Sequence, residues 1–242
     1  MAKKDLDHIR KFFRRDPCAW LIDRVTEAVG GDKELVVVGG VLRELLLESV
    51  LGKRPRMRDL DIVVLGNFDM EGCASRLGRG ACELNTFGGL KWIGRGLEVD
   101  IWPILLQTRL MHQAPRKTYT PKDVVALMDL TVNGAAYMPR SGRADLSVAL
   151  RSIGQRSLEL HSELVGPDYV CVARFILMNQ RLWPLGFRVG PRLKAFVRTT
   201  AQRMSSADIE RAEQYYGRKR GWLGRRISAP YFERQVALLR RP

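Results

Sequence analysis

The sequence predicts an α+β fold, with a strand-and-helix domain to about residue 145 followed by an α-helical domain. Three observations predict it. The β-branched run Glu34–Val38 stops at Gly39-Gly40, and a helical pattern follows. Two later segments, 59–65 and 97–102, alternate polar and apolar residues at period two, as half-buried strands do. Beyond about Leu146 apolar positions recur only at helical spacing.

Taken in order, 5–14 and 18–29 read as amphipathic helices and Glu34–Val38 as a buried strand. Helix 41–50, strand 60–65 and helix 70–76 follow. Asn85–Gly89 reads as a turn into a hairpin of residues 88–93 and 97–101, which turns in its own right at Gly94-Arg95-Gly96 and leaves Arg95 solvated at the tip. Residues 104–120 read as a loop and 132–137 as a strand. The later helices are expected at 147–163, 168–183, 191–203 and 206–217, with Trp183, Phe187 and Phe196 in their core. The expected organisation is thus 1–145, a helical domain at 146–217, and a basic C-terminal segment at 218–242.

The 242 residues carry a net charge of +15, which favours a polyanionic partner such as RNA. The charge concentrates at the end: Arg218, Lys219, Arg220, Arg225 and Arg226, interleaved with Trp222, make a candidate nucleic-acid contact. The four cysteines form no C-x-x-C pair, which excludes a zinc ribbon and a thioredoxin-type site. Few cysteines, short apolar runs and a start without a secretory signal predict a cytoplasmic chain with no membrane partner. The three histidines are scattered without metal-ligand spacing, and no nucleophile–base set stands out.

Two local patterns carry chemistry. Val36-Val37-Val38-Gly39-Gly40-Val41-Leu42-Arg43 is strand, glycine turn and helix. Glycines let backbone N–H groups approach an anion, the helix N-terminus adds its positive end, and Arg43 can add a charged contact. The spacing matches neither a P-loop nor a dinucleotide fingerprint. In the second pattern Asp59 and Asp61 share one strand face, while Leu60, Ile62 and Val64 share the other. Two adjacent acids repel unless water or a divalent cation lies between them. Glu98 and Asp100 share a face in the same way, and pairing of their strand with 59–64 would bring a third carboxylate to the first two. Asp100 is the preferred third ligand, because a shorter acid suits metal ligation close to a strand.

These motifs resemble the head domain of tRNA nucleotidyltransferases (CCA-adding enzymes) and bacterial poly(A) polymerases, within the polymerase-β-like nucleotidyltransferase superfamily. The family pattern G-G-x-V-R-D-x-L-L-G, then D-x-D-(L/I)-V, is met by Gly39, Gly40, Arg43, the following leucines, Asp59 and Asp61, with Glu44 in place of the usual Asp. A fainter match to R-R-D-F-T-I-N-A-(L/I)-A-Y runs through Asp129, Thr131, Asn133 and Tyr137, with Leu127 and Met128 where the family has arginines. The D-x-x-R-x-x-R helix is represented by Asp168, Cys171 and Arg174.

The resemblance covers roughly 34–182 and implies a mixed β-sheet, palm-like nucleotidyltransferase head followed by helices. It also implies two Mg²⁺ ions, at Asp59, Asp61 and Asp100, and an NTP, with ATP or CTP expected. Gly39, Gly40, Arg43, Asp129, Asn133 and Arg174 would bind the nucleotide. The acceptor would be an RNA, tRNA-like or a 3′ end, with room for a partner protein to supply a body domain. Two alternatives stay open: a protein or small-molecule acceptor, as in toxin-like and antibiotic-modifying relatives, and an inactive RNA-binding head.

Overall fold

The computed structural model describes residues 2–52, 59–85, 88–162, 166–219 and 236–237. Contacts divide the chain into two units, Met1–Gly154 and Gln155–Pro242. The first opens with α1 (Ala2–Phe13) and α2 (Cys18–Val29). On α2, Cys18, Leu21, Ile22, Val25, Ala28 and Val29 make one buried stripe at helical spacing. β1 (Glu34–Val38) leads through Gly39 into α3 (Gly40–Leu51). Residues Val41 to Leu47 of α3 are all buried, as in a helix enclosed on every side. β2 (Asp59–Leu65), α4 (Met70–Leu77) and β3 (Cys82–Leu84) come next.

β4 (Leu90–Gly94) and β5 (Leu97–Pro103) form the expected hairpin. Arg95 and Gly96 both have positive φ, +47° and +76°, the conformation of a tight two-residue turn that matches strand twist. Arg95 is not simply solvated. Its guanidinium lies 4.3 Å from the Trp20 ring and 3.3 Å from Asp16, so the tip docks on α2 and the residues before it.

The stretch 104–120, expected to be a loop, begins with a short helix, α5 (Ile104–Leu110), and a second, α6 (Pro121–Ala126), follows it. Their apolar residues, with Val36, Val38 and Val63, build a second core on the sheet. α6 starts at a capping box in which Thr120 and Asp123 bond each other's backbone N–H, with Pro121 at the first helical position. The strand expected at 132–137 shrinks to β6 (Ala136–Tyr137). Ahead of it Thr131–Asn133 is a 3-10 turn, because Asp129 accepts from its neighbour's backbone and from Asn133. β7 (Ala144–Asp145) and α7 (Ser147–Gly154) complete the unit.

The sheet order is β3-β4-β5-β2-β1-β6-β7. β2 and β5 run parallel and the other pairs antiparallel, so the sheet is mixed and the fold is α+β, as expected. β1 lies between β2 and β6 with both faces covered, which is why it reads as a continuous apolar run. Val36 and Val37 have no exposed surface, and burying each side chain is worth about 1.5–3 kcal/mol.

The helix expected over 147–163 stops at Gly154, the end of the first unit, and in the second unit Arg156 turns to φ +49°. Two residues pair instead, β8 (Ser157–Leu158) with β9 (Arg188–Val189). α8 (Asp168–Leu182) packs against α9 (Pro191–Arg203) and α10 (Ser206–Lys219). Glu159 anchors the start of α9 by accepting the Leu193 N–H at 2.7 Å. Phe187 is buried, but Trp183 is 65% exposed and is not core. It follows the last residue of α8, where the chain leaves the packed helix. Among the described residues no helix is long and apolar enough to cross a membrane.

Candidate active site

The end of β1 and the start of β2 bring the two sequence patterns together. Val38 pairs with Asp61, so the glycine turn rises directly beside the acids. Gly39 adopts φ +73° and ψ −139°, a conformation available essentially to glycine. A Cβ there would stand 2.2 Å from Asp61 Oδ2, so the missing side chain is also the space that the carboxylate fills. A Cβ on Gly40 would stand 3.5 Å from Asp59 Oδ1 and 3.6 Å from an Arg43 nitrogen. Both glycines and both aspartates therefore occupy one small region at the N-terminus of a 12-residue helix.

The third acid arrives as the alternation suggested. β5 pairs with β2 in parallel, with Asp61 opposite Asp100 and Asp59 opposite Glu98. Neighbouring strands lie about 4.7–4.9 Å apart, so carboxylates at paired positions are immediate neighbours. The two candidate third ligands differ in their partners. Glu98 accepts from Lys91 Nζ at 2.5 Å, whereas Asp100 accepts from the Asn85 side-chain amide at 3.1 Å. Burial works to lower the Lys91 pKa, but the hydrogen bond to Glu98, with Asp100 and Glu83 nearby, outweighs it and raises the ammonium above its ordinary value. Lys91 is therefore a fixed cation within the acid cluster.

Beneath the turn lies a buried polar network. Arg43, Glu44 and Asn133 are 9%, 3% and 7% exposed. Arg43 Nη1 donates to Asn133 Oδ1 at 2.7 Å, while Nε and Nη2 donate to Glu44 Oε1 at 3.3 Å. Asn133 in turn donates to Asp129 Oδ1 at 2.9 Å. The guanidinium thus binds protein groups, fixing the start of α3 to the turn before β6. Five of the six residues expected at the nucleotide are gathered here: Gly39, Gly40, Arg43, Asp129 and Asn133. Arg174 lies on α8 in the second unit. Of the basic segment, Arg218 and Lys219 fall in the last turn of α10, while Arg220, Arg225 and Arg226 lie outside the described residues.

Among the described residues no three His, Cys, Asp or Glu side chains converge into a ready metal cage. The donor chemistry nevertheless fits Mg²⁺, which prefers oxygen ligands and is commonly held by one or two carboxylates plus substrate phosphates and water. Asp59, Asp61 and Asp100, on adjacent paired strands beside an anion-favouring turn, suit that use.

Sequence reasoning assigned Asn85 to a turn and missed its bond to Asp100. The hairpin register carried a signal for Lys91: counting back from Arg95-Gly96 places Lys91 opposite Asp100. Glu44 as the buried partner of Arg43 had no such signal, since helical position alone does not show which face is enclosed.

No protein-family model and no curated protein matches the chain by sequence. Solved structures do match. The Thermotoga maritima CCA-adding enzyme complexed with tRNA-CCA matches at 20% identity and a TM-score of 0.60, over 98% of this chain and 53% of that one. A CCA-adding enzyme complexed with CTP matches at 20% identity and 0.61, over 98% and 54%. One complexed with ATP matches at 18% and 0.60, over 95% and 53%. The likeness shows a shared fold, and this chain spans about half the length of the structures it matches.

Proposed function

We propose that the chain is a metal-dependent nucleotidyltransferase that moves NMP from an NTP, ATP or CTP, to the 3′ hydroxyl of a tRNA-like RNA. One observation carries the reading: the Gly39-Gly40 turn is packed on Asp59 and Asp61, with Asp100 in register beside them. Backbone N–H groups of the turn and the N-terminus of α3 bind the triphosphate. The Arg43–Asn133–Asp129 network holds the turn rigid from below. Asp59, Asp61 and Asp100 would hold Mg²⁺. When bound, the metal lowers the cost of ionising the attacking hydroxyl and of charge building on the departing pyrophosphate. The chain aligns the acceptor hydroxyl with the α-phosphorus, the new P–O bond forms, the α–β bridge bond breaks, and the hydroxyl proton passes to solvent.

The solved structures of similar fold are complexes with tRNA, ATP and CTP, which supports the choice of substrates. The basic segment 218–242 and Arg174 would serve the RNA and the nucleotide. Pyrophosphate release tests the reading. Purified chain, Mg²⁺ and total RNA are mixed with each NTP in turn. The proposal expects release with ATP or CTP that depends on RNA. Release that depends instead on added protein extract would move the acceptor to protein, and none under either condition would remove the enzymatic reading.

A further inference from the structure

We infer that Asn85 is the positioning residue for Asp100, fixing the third carboxylate for a metal ion; the inference rests on the nucleotidyltransferase reading above. Asn85 sits between β3 and β4. Its Nδ2 donates to Asp100 Oδ1 at 3.1 Å and its Oδ1 accepts the Gly89 N–H at 2.9 Å. Its own backbone N–H donates to the Gly89 carbonyl at 2.7 Å, and its carbonyl accepts from the Gly88 N–H at 3.0 Å. Both ends of the side chain and both backbone groups are thus committed, so the amide has one direction.

Gly89 makes this placement possible. A Cβ there would stand 2.9 Å from the Ile101 carbonyl oxygen and 2.9 Å from Trp102 Cβ, and 3.1 Å from Asn85 Nδ2. Only a residue without a side chain lets the turn lie this close against β5 and carry the amide to Asp100.

The chemistry of the donor separates the two acids of β5. Lys91 is the cross-strand partner of Asp100, yet its ammonium is 2.5 Å from Glu98. A neutral amide orients the Asp100 carboxylate without adding charge of its own, while the Lys91 ammonium bonds Glu98 directly and stands opposite Asp100 in the strand register. Asn85 therefore does for Asp100 what outer-shell partners do for metal ligands generally.

The test is Mn²⁺ binding, read from the electron paramagnetic resonance signal of free Mn²⁺, for wild type, Asn85→Ala, Asp100→Ala and the double variant. Losing an outer-shell partner costs about 10–100-fold in metal affinity, so Asn85→Ala is expected to weaken Mn²⁺ binding by about tenfold. Because Asn85 acts through Asp100, the double variant should bind as Asp100→Ala does. Asn85→Ser, which keeps a short donor, should recover part of the loss and supplies the comparison if Asn85→Ala fails to fold. Unchanged affinity in Asn85→Ala, or an equal loss in both backgrounds, overturns the inference and leaves the site intact. Asp61→Ala separates the two levels: if it binds Mn²⁺ as wild type does, the acid cluster is not a metal site and both readings fall.

Discussion

Replacing Gly39 by alanine tests the geometry at its tightest point. The backbone there stands at φ +73° and ψ −139°, where an L side chain is strained by about 1–3 kcal/mol. The added methyl would also overlap Asp61 Oδ2, which lies 2.2 Å from the ideal Cβ position, and would force the carboxylate away from the turn. Taking about 2 kcal/mol for the strain, and about 2–4 °C per kcal/mol for a chain of this length, the melting temperature should fall by about 4–8 °C. Gly40→Ala is the control. Its methyl meets nothing closer than 3.5 Å and its backbone conformation suits an L residue, so alanine gains about 0.4–1 kcal/mol by restricting the unfolded chain. Gly40→Ala should melt at or slightly above wild type, yet bind NTP more weakly because the methyl crowds the anion's approach. Circular dichroism melts of the three proteins, with nucleotide titrations beside them, make the comparison. A Gly39→Ala protein that melts with wild type would refute the reasoning, as would a Gly40→Ala protein more destabilised than Gly39→Ala.

Other consequences follow from single groups. Thr120→Ala removes one half of the α6 capping box and should cost about 0.5–2 kcal/mol, seen as a lowered denaturation midpoint. The Thr120 hydroxyl, reinforced by the Thr120 backbone N–H and Arg116, holds the Asp123 carboxyl below its ordinary value. A depressed carboxylate stabilises the fold above its unfolded pKa of about 3.9, and that contribution is lost as pH falls through the folded value. Asp123→Ala should therefore be less stable than wild type at neutral pH, with the gap closing in acid. Burial raises the thiols of Cys18 and Cys73 to about 11, Cys171 is also buried, and the half-buried Cys82 is raised as well, so Cys82 should react with a thiol reagent at pH 8 ahead of the other three but more slowly than a free thiol. Arg43→Met should destabilise the fold by removing the guanidinium hydrogen bonds from the buried Glu44 and Asn133, whereas Arg95→Met should cost about 1 kcal/mol or less.

Much of the fold was legible because its signals are local. The period-two pattern placed Asp59 and Asp61 on one face, and Gly39-Gly40 marked the strand-to-helix turn. The hairpin over β4 and β5 followed from its turn residues, and the meeting of Asp100 with Asp61 needed only the pairing of β5 with β2. What was missed depends on contacts distant in sequence. α5 and α6 form because their apolar residues complete a core begun by Val36 and Val63. The shortened strand at β6 reflects Asp129 and Asn133 bonding locally and to Arg43, 90 positions away in sequence. Arg95 read as solvated because no local pattern reports Trp20 beneath it. Asn85 read as a turn residue, which it is; its second bond to Asp100 becomes visible only once β3, β4 and β5 are side by side.

In the proposed function the acids beneath the glycine turn drive nucleotide transfer. Wild type and the Asp59→Ala/Asp61→Ala variant, matched by their melting curves, are incubated with Mg²⁺, total RNA and α-³²P-labelled ATP or CTP. Label is expected on RNA with wild type and none with the variant. Equal labelling by the two folded proteins would contradict the role given to the acids.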